Sequence, residues 1–229
     1  MLFAAPAAAQ DLPFSLIDEG SLTARSVQLI VLLTVLSLVP ALAIMFTCFP
    51  FMVTVLAILR QGIGLQQSPP NMLIVSLALF LTYFVMEPVF LAAWQNGVSP
   101  LVEGRLSAED AALETIAPFR TFMTSRVQPE TMAVLADLRP ETSGATAQSA
   151  PLSLLVPSFL LSEIERAFQI GFLIFLPFLI IDLVVAAILM SMGMMMVPPV
   201  IVSLPFKLAF FVVADGWSLV SGALVRSYF

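Results

Sequence analysis

Three charged side chains stand alone inside otherwise apolar sequence: Asp182, Lys207 and Asp215. Each costs a few kcal/mol in hydrocarbon unless it is paired or faces a polar interior, so each is a candidate for function. Asp182 and Lys207 could pair across a helical hairpin, or each could meet a charge on another subunit. Their spacing leaves both open, and a purely structural ion pair fits equally well. A second feature is Met194-Met195-Met196, set between Gly193 and Pro198-Pro199. Methionine is unbranched, flexible and polarizable, so it fills irregular gaps. Three in a row on a turn would form a deformable apolar plug if several copies converged on an axis. Alternatively they are ordinary core side chains of a hydrophobic hairpin. A third feature is the patch Ser162-Glu163-Ile164-Glu165-Arg166. Glu163 and Arg166, three apart, can face each other on a helix. They would serve as subunit contacts, as buried charges, or as a helix cap at the water boundary.

Other chemistry lacks its residues. Glu163 and Glu165, two apart, diverge on a helix and do not form the carboxylate pair of a hydrolase. Gly62-Ile63-Gly64 lacks the lysine and the strand context of a phosphate-binding loop. Histidine is absent and Cys48 is the single cysteine. A zinc site, a His-based triad and an internal disulfide are therefore not expected. The sequence reads as non-enzymatic, with no catalytic residue, cofactor or metal. A net charge of −6 without a long basic run argues against nucleic acid as a partner.

The elements that must place these residues are apolar helices. Of 229 residues, 60% are hydrophobic and 10% charged, where a soluble domain is nearer half and a quarter. The expected fold is an all-α, membrane-associated protein of kinked apolar helices in hairpins. Residues 1–9, ending in Ala7-Ala8-Ala9, read as a truncated signal-peptide remnant or as a disordered alanine-rich terminus. Residues 10–26 read as an extracytoplasmic segment. Residues 27–94 form a first apolar hairpin. Within it, Val27 to Leu59 is one long broken helix or two helices meeting near Pro40, and Met72 to Trp94 is a clear span. Residues 95–151 are polar and read as a small soluble helical insertion or a loose loop. Ser107 is placed to cap a helix carrying Ala112, Ile116, Phe119 and Met123 on one face, and a short helix is expected from Pro129 to Leu138. Residues 152–229 form a second apolar hairpin around the methionine turn. Its first block, Leu152 to Val197, is too long for a simple span and is punctuated by Gly171 and Pro177. The insertion, long and acidic, belongs outside, which puts Arg60 inside. A small-molecule secondary transporter with Asp182 at its midplane is an alternative. Its expected internal repeat is not visible, because the two halves share no motif.

Several blocks resemble the FliP family of flagellar protein-export gate subunits, a pattern shared by the virulence-secretion homologue SctR. They are Phe168-Gln169-Ile170-Gly171-Phe172, Pro177-Phe178-Leu179-Ile180-Ile181-Asp182-Leu183-Val184, Met190-Ser191-Met192-Gly193-Met194-Met195-Met196, Leu204-Pro205-Phe206-Lys207 and Asp215-Gly216-Trp217. Upstream, Leu59-Arg60 with Gly64, Pro69-Pro70-Asn71 and Met86-Glu87-Pro88 fit the same pattern. The resemblance covers about Thr47 to Trp217. It implies a pentameric ring, completed by FliQ and FliR into a helical export gate in the bacterial inner membrane, with FlhA and FlhB alongside. The gate sits in the flagellar basal body, much of it on the periplasmic side, and unfolded substrates pass through its pore. The family's methionine-rich constriction falls on Met194, Met195 and Met196, and its Ser-Glu block places a subunit contact at Glu163. Two departures stand out. Phe49-Pro50-Phe51 occupies the place of the family's usual Phe-Thr-Arg, so that arginine is missing. The insertion matches poorly residue by residue, and no site is carried onto it. The signal-like start favours the flagellar over the virulence branch.

Overall fold

The computed structural model describes residues 25–31, 33, 34, 37, 44–65, 69–142, 144–194 and 196–229. The readings made for residues 1–24, for Pro40 and for Met195 lie outside the described residues. The chain divides into two units, Met1–Ala43 and Ile44–Phe229. In the first unit, residues 25–31, 33, 34 and 37 are helical.

The second unit is helical throughout, with no strand among its described residues. Helix α1 spans Phe49–Ile63, α2 Asn71–Ala93, α3 Ser99–Val102, α4 Ala108–Arg126, α5 Pro129–Asp137, α6 Leu152–Ser191, α7 Pro199–Val213 and α8 Gly216–Arg226. A π-helical turn, Trp94–Val98, joins α2 to α3. Phe46 to Cys48 is not helical, and Pro50 sits in the first turn of α1. Pro50 therefore starts a helix rather than kinking one, because its missing N–H falls among donors that have no intrahelical partner. Gly64 ends α1 with φ +87.

Helix α1 is the centre of the core. Phe51, Met52, Val55, Leu56 and Leu59 have no solvent exposure. Around them pack Ile74, Ala78, Val85 and Met86 of α2, Ala167 and Phe178 of α6, and Phe211 of α7. The contact of α1 with α6 is close because Gly171 has no side chain. A Cβ there would lie 2.4 Å from Ile58 Cδ1. Gly171 is thus a packing position, and it does not punctuate the block as its type suggests. Pro177 does not break it either, since α6 runs unbroken for 40 residues through Pro157 and Pro177. Packing of neighbouring helices along such a segment supports the backbone where a proline has removed a hydrogen bond.

Residues 123–159 carry a second core. Met123, Val127, Met132, Ala136 and Ala150 pack on Leu154, Leu155 and Phe159 of α6. Ser107 caps α4, its hydroxyl accepting from the Asp110 N–H at 3.2 Å. The packed face of α4 keeps Phe119 and Met123 of the expected set and differs at Ala112 and Ile116. Ala111 and Met123 are buried with Phe119 and Phe122 beside them, while Ala112 and Ile116 are exposed. The difference follows from the π-helical turn, whose Gly97 admits Thr115 so closely that a Cβ would lie 2.1 Å from the Thr115 hydroxyl.

Two helical stretches are long and apolar enough to cross a membrane, Asn71–Val102 and Leu152–Ser191. Helices α7 and α8 would make a third if taken as one span bent by 62°. At 1.5 Å per residue α6 is about 60 Å long, roughly twice the hydrocarbon thickness of a bilayer. One face of its first half is buried under the insertion, with Leu161 and Phe168 left exposed, and Phe172, Leu173, Ile180, Leu183, Val184 and Ile188 of its second half are exposed. The protein is therefore an all-α membrane protein in which one helix serves both a packed, globular end and an apolar, uncovered end.

Candidate functional site

The apolar end of α6 returns into α7 through Met192–Pro198. The turn is a Schellman motif: Gly193, with φ +74, donates to Met190 O, and Met194 N–H donates to Leu189 O at 2.9 Å. Only glycine takes that conformation without a Cβ penalty. Pro198 and Pro199 then set the start of α7. The cap closes the backbone but leaves side chains outside. Met194 is 45% exposed and Met196 is 96% exposed.

Below the turn, α7 runs back along α6 and brings Lys207 to Asp182. The Lys207 ammonium donates to Asp182 Oδ2 at 2.6 Å and to the carbonyl of Gly62, on α1, at 3.1 Å. Ser203, one turn before Lys207, donates to Asp182 Oδ1 at 2.5 Å. Lys207 is almost fully buried, while the Asp182 side chain is 27% exposed. The pair is intrachain and ties three helices at one point. Beside it lies a cavity of about 400 Å3 lined by Arg60, Gln61, Gly64, Phe175, Asp182 and Lys207. An ion pair with further hydrogen bonds satisfies its own desolvation, which a lone charge could not.

Glu163 lies 19 residues earlier on α6 and is completely buried. Its carboxylate accepts from Arg126 Nε at 3.1 Å, from Arg166 at 3.2 Å and from the Tyr228 hydroxyl. Arg126 also donates to the carbonyl of Ser227 at 2.9 Å, and its guanidinium lies 4.1 Å from the centre of the Tyr228 ring. Phe122, one turn before Arg126, stacks on the same ring at 6.0 Å, and Phe51 of α1 meets it edge-on at 5.5 Å. Burial, and then the charge of Glu163, holds the Tyr228 phenol well above the ordinary tyrosine range. The phenol is thus a fixed donor. Every partner of Glu163 comes from its own chain. Of the alternatives open in the sequence, its geometry within the chain is that of a buried charge.

Asp215 is different again. It is exposed, joins no cation among the described residues, and stands at the bend between α7 and α8 with φ 49 and ψ 48. Its carboxylate accepts from the Ser218 hydroxyl at 3.1 Å. The turn is tight because Gly216 packs under Phe211, where a Cβ would lie 2.2 Å from the ring. Asp215 is therefore a turn residue at a bend, a role that aspartate tolerates better than most side chains.

Arg126, Ser203, the Gly62 carbonyl and Tyr228 were not among the expected site residues. Ser203 had a signal, since it precedes Lys207 by four and shares its helix face. Arg126 and Tyr228 are 37 and 65 residues from Glu163, and no local pattern joins them.

Comparison with known proteins places this arrangement. The sequence profile of the FliP family matches residues 32–224. The chain is 50% identical over 209 residues to the flagellar biosynthetic protein FliP of Caulobacter vibrioides, covering 91% of this chain and 79% of that protein. It is 46% identical over 227 residues to the flagellar biosynthetic protein FliP of Rhizobium meliloti, covering 97% and 93%. Against the Bacillus subtilis protein of the same name it is 42% identical over 203 residues, covering 89% and 92%. A match of this extent and similarity shows that the chain belongs to the FliP family.

Proposed function

We propose that this protein is a pore-forming, non-enzymatic subunit of the flagellar type III protein export gate. In this reading five copies form a ring, completed by FliQ and FliR, with FlhA and FlhB alongside. The ring conducts unfolded flagellar substrates across the bacterial inner membrane, much of it standing on the periplasmic side of the basal body. Residues 152–229 are the pore-bearing hairpin and residues 95–151 the extracytoplasmic insertion. Family membership supports the flagellar export apparatus as its setting, and two apolar helices of spanning length support the membrane.

The observation that carries the pore reading is the uncovered methionine turn. A cap that satisfies its backbone internally, and still presents Met196 at 96% exposure, has an apolar tip built for a surface outside its own chain. Copies of that tip around an axis would close on one another when empty and yield to a passing chain, because methionine re-packs readily. The Asp182–Lys207 pair would hold the root of the turn. Replacing Met194, Met195 and Met196 together with alanine is expected to leave assembly intact and let ions leak. The measurement is membrane conductance beside the native mass of the detergent-extracted complex, with and without FliQ and FliR. A variant as ion-tight as the original would remove the gasket role, and a protein that stays monomeric with its partners would remove the ring.

A further inference from the structure

The segment after the methionine turn is fastened by polar contacts at its two ends, with Phe211 and Leu224 reaching the core between them. At its start, Ser203 and Lys207 of α7 hold Asp182 of α6. At its end, Tyr228 is clasped by Glu163 of α6, Arg126 of α4 and the rings of Phe51 and Phe122. Between these points lies a 62° bend at Asp215, a non-glycine residue with a left-handed backbone. Helix α8 contributes little of its own to the core. Leu224 is its one fully buried side chain, Val220 and Val225 pack partly against the core, and Trp217 meets Phe211 edge-on at 5.3 Å, while Leu219 and Arg226 are exposed. A helix with so few buried contacts is retained by what grips its ends.

From this we infer that α8 is a hinged strap that leaves α7 at Asp215, its closed position set by the clasp of Tyr228 on Glu163 and Arg126. The clasp joins the insertion helix α4 to the end of the strap. Release of the clasp frees α8 to swing about Asp215, while α7 stays held at Asp182 by Ser203 and Lys207. The clasp is suited to this because it is charge-assisted and directional, so that losing one hydroxyl removes a discrete contact without leaving a hole.

The test is hydrogen exchange on the full-length, detergent-extracted protein, comparing the original with Tyr228→Phe, which keeps the ring and removes only the hydroxyl. Loss of one hydrogen bond to a buried charge is expected to speed exchange across Gly216–Arg226 by roughly tenfold or more, with α1 and α5 unchanged. Tryptic cleavage after Arg226 should accelerate in parallel. Unchanged exchange in α8 would overturn the strap. Exchange that rises equally in α1, α4 and α6 would also overturn it, since the tyrosine would then be an ordinary core residue.

Discussion

Helix α6 carries two charged clusters that solve the same problem differently. Glu163 and Asp182 are 19 residues apart, about 28 Å along the helix axis. Glu163 is sealed, and its partners come from α4, from α6 itself and from beyond α8. Asp182 shares its carboxylate between Lys207 and Ser203 but keeps 27% of its side chain open, at the edge of a cavity. The sealed cluster lies where the insertion wraps α6, and the open one lies where the helix is otherwise bare. Enclosure makes the first a fixed joint. The second retains access to solvent or to a neighbour, so its strength depends on what fills the cavity.

The sharpest way to break this contrast is to remove each acceptor or donor in turn. Glu163→Ala leaves Arg126, Arg166 and Tyr228 without their shared acceptor and should cost about 3–5 kcal/mol, read from the thermal midpoint in detergent. Lys207→Met strips the open cluster of its cation, yet Asp182 keeps Ser203 and its exposure, so the loss should be about 1–3 kcal/mol. Equal losses at the two sites would end the distinction between sealed and open. Alkaline titration probes the sealed cluster through its phenol. The native phenol of Tyr228 is held above its ordinary range, so above about pH 10 the unfolded chain releases that proton while the folded one keeps it. Stability should therefore fall as pH rises past that point, by up to about 1.4 kcal/mol per pH unit. Tyr228→Phe should remove that part of the slope, and an unaltered slope would place the phenol in water. The smallest effect is expected at the bend between the clusters. Asp215→Gly relieves a left-handed backbone but adds chain entropy, so its net change should stay within about 1 kcal/mol. A larger loss would mean that the bend is itself a structural joint.

The contrast also explains what could be read from the sequence. Isolated charges in apolar helices announce themselves, so Asp182 and Lys207 were visible, and the spacing left open whether they met within one chain. The return of α7 along α6 makes the meeting intrachain. The all-α class was legible from composition and from Met72–Trp94, a span found within one residue of its helix end. Glu163 was visible only as part of a charged patch. Its joint depends on Arg126 and Tyr228, which topology alone brings near, across 37 and 65 residues. Gly171 and Pro177 misled for a common reason. Both are breakers in isolation, and in α6 both are overridden by the close packing of α1, as the fit of Ile58 against Gly171 shows.

Cys48 lies in the wall of the core around α1. It is the single cysteine of the chain, has no exposure, and burial pushes its thiol up to about 12. A thiol without thiolate or access does not react with maleimides at neutral pH. The native protein is in effect already a cysteine-free background for labelling. A cysteine placed at the tip of the methionine turn, or along the outer face of α8, could carry a fluorophore or spin label selectively, with the natural residue left in place.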